Sequence, residues 1–69
     1  MTTLTSTLVR AIVDDLLSED LGFKIDDIMS IKPDNEYVIV MVNRHDLEDY
    51  PNGLKYNKLG NFVDWLWLQ

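Results

Sequence analysis

The sequence predicts a small α+β domain: an N-terminal amphipathic helix packed on an antiparallel β-hairpin or sheet, followed by a C-terminal helix. Three observations predict it. Apolar residues recur at helical spacing from Leu8 to Leu17, a strongly β-forming run spans Tyr37 to Val42, and Leu59, Phe62, Val63 and Leu66 return to intervals of three and four.

The first element is expected from about Thr5 to Leu21. Leu8, Val9, Ile12, Val13, Leu16 and Leu17 cover roughly half the circumference, wider than a surface helix needs. Thr7, Arg10, Asp14, Asp15 and Ser18 fill the other side. Gly22 is placed to take the left-handed conformation after the helix, and Phe23 follows where a Schellman motif brings an apolar residue against the last turn, near Leu17. Asp14, Asp15, Glu19 and Asp20 stand in the second half, against the helix dipole. That placement is a small local cost, and folding alone does not explain it.

A hairpin comes next, with a short strand at Ile28–Lys32, turn chemistry at Pro33-Asp34-Asn35 and a strong strand from Glu36 to Asn43. Val38, Val40 and Val42 point to one face, and Tyr37, Ile39 and Met41 to the other. Both faces are apolar, which predicts a central strand covered on both sides, or on one side by a partner. From Arg44 to Gly53 the chain turns polar, with a short helical turn through His45 to Tyr50 and a turn at Pro51-Asn52-Gly53. The last segment reads as a helix capped by Asn57 or Asn61, because its spacing is clean and Asp64 interrupts a strand pattern. Its wealth of β-formers makes a strand the alternative.

All 69 residues make one domain, and a domain of this size has a marginal core. With no cysteine there is no disulfide to staple it, so self-association gains weight. A 46% hydrophobic content is nevertheless that of a folded chain and not of an acidic tail. The first residues lack the basic and apolar regions of a signal peptide, the longest apolar run is Tyr37–Val42, and no lipidation motif is present. The expectation is a soluble, cytoplasmic protein.

Charge is the most distinctive feature. The net charge is −6, and eight of the twelve carboxylates fall between Asp14 and Glu36, answered there only by Lys24 and Lys32. Such a surface repels nucleic acid and anionic membrane and attracts basic surfaces. The six basic residues are spread along the chain, too thinly for phosphate neutralisation. Lys55 and Lys58 beside Tyr56 read as surface trim.

Chemistry-bearing patterns are missing. With no cysteine, no Gly-x-Ser-x-Gly elbow and one histidine, nucleophilic catalysis has no machinery. Gly22, Gly53 and Gly60 are scattered and assemble no phosphate loop. His45 and Asp49 would share a helix face and offer one edge of a metal site, whereas zinc needs three or four ligands. The Asp14–Asp20 stretch lacks the alternating ligands of a calcium loop. Neither enzyme activity nor a metal or cofactor is expected, and a metal-dependent enzyme is the weakest alternative. Glu19-Asp20-Leu21-Gly22 resembles the acidic helix end of acyl carrier proteins. Their Asp-Ser-Leu attachment motif is absent, however, and the strand at 37–42 contradicts an all-helical bundle, so no family is assigned.

The function expected is therefore that of a small non-enzymatic interaction or regulatory protein. Asp14, Asp15, Glu19, Asp20, Asp26 and Asp27 would dock on a basic protein surface. In its sharper form the partner is a nucleic-acid-binding protein, and the carboxylates inhibit it by mimicking a phosphate row. The alternative is a structural homodimer whose apolar strand or tryptophan-bearing end is buried by a second copy, with Trp65 and Trp67 as interface aromatics.

Overall fold

The computed structural model describes residues 3–43 and 51–67. Helix α1 (Ser6–Leu16) leads through a 3-10 turn (Ile25–Asp27) into four strands: β1 (Ile28–Asp34), β2 (Tyr37–Val42), β3 (Gly53–Asn57) and β4 (Phe62–Leu66). The strands form an antiparallel meander in the order β1-β2-β3-β4. The α+β class is as the sequence predicts.

Helix α1 starts where Thr5 Oγ1 accepts a hydrogen bond from the Leu8 N–H at 3.1 Å, satisfying one orphan donor of the first turn. Leu8, Ile12 and Leu16, four residues apart, are its buried line. Val9 and Val13 are only half-buried, and Leu17 is 43% exposed, so the apolar stripe is narrower than the sequence suggests. The helix also ends at Leu16 and not near Leu21. The Ser18 hydroxyl donates to the Asp15 carbonyl at 2.6 Å, and the Ser18 N–H donates to the same carbonyl at 3.1 Å, which tightens and stops the last turn. Gly22, at φ +70°, reverses the chain, and the Phe23 N–H returns to the Leu16 carbonyl at 3.0 Å. Phe23 is buried, but its ring meets Trp65 at a centroid distance of 6.2 Å, while Leu17 stays outside.

Strand β1 runs on through Pro33 and Asp34, and the turn is Asn35-Glu36, with Asn35 at φ 56°. This corrects the expected turn at Pro33-Asp34-Asn35. β1 is an edge strand, where proline is tolerated. Because Asp34 and Tyr37 flank a two-residue turn as a hydrogen-bonded pair, alternation puts Pro33 and Val38 at a non-hydrogen-bonded position. The missing N–H of Pro33 then points away from the ladder and costs it nothing.

Strand β2 is central, between β1 and β3. Val38, Val40 and Val42 are buried on the helix side with Leu54 and Tyr56 of β3, and together with Leu8, Ile12, Leu16 and Phe23 they make the core. The opposite face of β2, carrying Tyr37, Ile39 and Met41, is only partly shielded. One layer of helix covers one face of the sheet, and the expected second cover is not supplied by the described residues.

The C-terminal segment is strand β4, not the expected helix. Lys55 pairs with Asp64 and Tyr56 pairs with Phe62, so Val63 is an extra residue taken up by a β-bulge. The bulge shifts the phase, and Phe62 and Trp65, three apart, come to the same helix-facing side. A bulged strand thus reproduces the interval of three that reads as a helix. Asp64, which breaks the alternation in sequence, sits on the open face across from Lys55. Asn57 does accept backbone donors, from Leu59 at 2.9 Å and Asn61 at 3.0 Å, but it closes a hairpin turn and caps no helix. The helical turn expected through His45 to Tyr50, with the His45–Asp49 pair, lies outside the described residues.

Candidate functional site

The six carboxylates singled out by the sequence divide into two kinds. Asp15 and Asp27 are used by the fold. Asp15 Oδ2 accepts from the Tyr56 hydroxyl at 2.6 Å, across 41 residues of sequence. Burial, then the bond to Asp15 and its charge, raise the Tyr56 pKa far above the ordinary tyrosine value of 10.0. Asp27 Oδ2 accepts from the Lys24 N–H at 3.0 Å, and the Asp27 carbonyl accepts from Asn43 N–H at 2.7 Å, anchoring the 3-10 turn to the end of β2.

Asp14, Glu19, Asp20 and Asp26 form the second kind. All four are exposed, and none has a side-chain partner among the described residues. Asp14 occupies the last turn of α1, Glu19 and Asp20 the turn beyond it, and Asp26 the 3-10 turn before β1. The last turn of α1 holds no basic residue, so the charges of Asp14, Glu19 and Asp20 add to the partial negative charge of the helix C-terminus. Among the described residues the ion pair is Lys58–Glu36, 3.6 Å apart and well exposed, and it involves none of these carboxylates. Lys24 is the lone cation within residues 14–27.

The two tryptophans also separate. Trp65 is half-buried, its ring tilted against Phe23 at 6.2 Å and edge-to-face with Phe62 at 5.5 Å, and belongs to the rim of the core. Trp67 lies past the end of β4 and is 67% exposed. Leu59, Phe62 and Val63 are exposed beside it in sequence.

The second apolar face of β2, expected to be covered by the chain itself or by a partner, belongs to a sheet face that the described residues leave uncovered. By register its rows are Asp34–Tyr37–Asn57, Lys32–Ile39–Lys55–Asp64 and Ser30–Met41–Gly53–Leu66. The Lys55 Nζ lies 4.0 Å above the Tyr37 ring, a cation–π contact between neighbouring strands. A shallow groove of about 280 Å³ runs between β1 and β2, lined by Ser30, Lys32, Pro33, Ile39 and Met41. The signal for this face was present in the second apolar set of β2. What the pattern does not specify is whether anything covers it.

Among the described residues no three histidine, cysteine, aspartate or glutamate side chains gather as metal ligands, and no helix is long and apolar enough to cross a membrane. The chain matches no protein-family model, and neither a curated protein nor a solved structure resembles it significantly.

Proposed function

We propose that this chain is a small non-enzymatic interaction protein that docks the acidic end of α1 on a basic protein surface. One observation carries the reading. Asp14, Glu19 and Asp20 are exposed and unanswered at and just beyond the negative end of α1, where they cost stability, and Asp26 is exposed in the 3-10 turn that follows; none of the four serves a contact within the described fold. Carboxylates so placed steer and orient a cationic partner more than they supply affinity. A nucleic-acid-binding protein is the partner whose surface best matches this charge, with the carboxylates standing where phosphates otherwise sit.

The test compares the natural chain with a variant in which Asp14, Glu19, Asp20 and Asp26 are all amidated (Asn or Gln). Both are immobilised, exposed to lysate of the native host, and eluted in rising salt. A basic protein released at moderate salt from the natural chain and lost from the variant supports docking through these carboxylates. Equal retention by both chains refutes it. Competition by added duplex DNA for the captured protein separates phosphate mimicry from simple acidic docking.

A further inference from the structure

We infer that the open face of the sheet is a contact between two copies of this chain, producing a dimer with the sheets inside and the helices outside. This stands apart from acidic docking, which uses the end of α1 and the turns that follow it.

Charge selects the occupant. The chain as a whole carries −6, yet the open face holds Lys32 and Lys55 against Asp34 and Asp64, a balanced set around Tyr37, Ile39, Met41 and Leu66. An acidic chain that meets its own copy anywhere near residues 14–27 is repelled, whereas on this face the contact charges cancel. They also complement one another under symmetry. A twofold axis crossing the strands between the Asp34–Tyr37 row and the Lys32–Ile39 row lays Lys32 over Asp34 of the second copy, and Ile39 over its Tyr37, each twice. The groove between β1 and β2, about 280 Å³, has room for one large side chain from the facing sheet.

The edges of the sheet are the competing route to self-association, and both are blunted. β1 carries a register shift between Ile28 and Ser30 and has proline at position 33. β4 carries the bulge at Val63, and Asp64 Oδ1 accepts from the Trp65 N–H at 2.8 Å. Neither edge offers an uninterrupted row of donors to a neighbouring strand. Size then sets the strength. The Cα framework spans 33 × 24 × 17 Å, so even the rectangle that encloses its broadest side is no larger than the ~800 Å² each partner buries in a standard interface. The dimer is accordingly weak.

Sedimentation velocity over a concentration series tests this on the full chain. Four samples are compared with the natural protein: Lys32→Asp, Asp34→Lys, an equimolar mixture of the two, and Ile39→Glu, each checked for folding by thermal melting. Each single charge reversal is expected to weaken the dimer about tenfold or more, the mixture to restore it, and Ile39→Glu to abolish it. Raised salt should not dissociate the natural dimer, since screening weakens the Lys32–Asp34 pairs but equally relieves the repulsion between two chains of charge −6. Should Ile39→Glu fail to fold, the two charge reversals at exposed positions still decide. A natural chain that stays monomeric at millimolar concentration overturns the inference, including one that captures another protein through Lys32. So does a dimer indifferent to Lys32→Asp and Asp34→Lys but lost on Trp67→Ser, which would place the contact on the β4 edge.

Discussion

The Tyr56 hydroxyl donates to Asp15 Oδ2 at 2.6 Å, joining the third strand to the last turn of the helix across 41 residues of sequence. The bond fastens the two layers at the end where the helix stops. It also takes one carboxylate out of the acidic surface and gives it a structural role.

Removing that bond should be felt. Tyr56→Phe is expected to lower unfolding stability by about 1.5–2 kcal/mol, as for a part-buried hydrogen bond to a charged acceptor. Asp15→Asn should cost less, because the amide oxygen still accepts and the change removes a negative charge that opposes the helix dipole. Urea unfolding of both single variants and the double variant gives the coupling between them; additive losses would show that the bond contributes nothing.

Alkaline pH probes the same contact. Folding raises the Tyr56 pKa above 10.0, chiefly by burial and then through Asp15. The unfolded chain therefore releases this proton first, and the folded chain binds more protons above that pH. Stability is whole below about pH 10 and falls above it, by ~1.4 kcal/mol per pH unit from this one group until the folded phenol itself ionises. Urea melts through this range should show the slope in the natural chain and a slope shallower by that amount in Tyr56→Phe.

Gly60 and Gly22 both have positive φ, +83° and +70°, but differ in their surroundings. A Cβ on Gly60 would stand 3.1 Å from the Ala11 Cβ and 3.6 Å from Leu8 Cδ1, whereas one on Gly22 meets nothing within 4 Å. Gly22→Ala should cost about 1 kcal/mol, the strain of a left-handed residue alone. Gly60→Ala should cost clearly more, since the β3–β4 turn must also lift off α1. Thermal melts of the pair rank them, and equal losses would mean that the turn does not rest on the helix.

Asp14 should behave in the opposite sense. It is exposed, without a partner among the described residues, and within the last turn before a negative helix end. Asp14→Asn is expected to raise stability by about 0.3–1 kcal/mol, while weakening capture of a basic partner. A variant no more stable than the natural chain would remove the strain that motivates a functional reading of this position.

Several features were legible because they depend on neighbours in sequence. The spacing of Leu8, Ile12 and Leu16, the cap at Thr5 and the alternation of Val38, Val40 and Val42 each record a local period that the fold preserves. The two corrections at chain turns, at Ser18 and at Asn35, arise from side-chain and backbone bonds that compete with the regular pattern. The candidate site was half legible. Asp14, Glu19, Asp20 and Asp26 stay exposed, whereas Asp15 and Asp27 are held by Tyr56 and by the Lys24 backbone, and no spacing announces either contact.

By itself the sequence determined the class of the domain, its acidic character, the N-terminal helix with its buried line, and the strong strand at its centre. All of these follow from composition and short-range periodicity. Tertiary structure alone decided that the last segment is a strand, because the bulge at Val63 gives Phe62 and Trp65 a helix-like interval while pairing with β3 satisfies their backbone. It also decided which apolar face of β2 lies under the helix and which the described residues leave uncovered. Both faces are apolar in sequence, and one helix of eleven residues can cover only one of them.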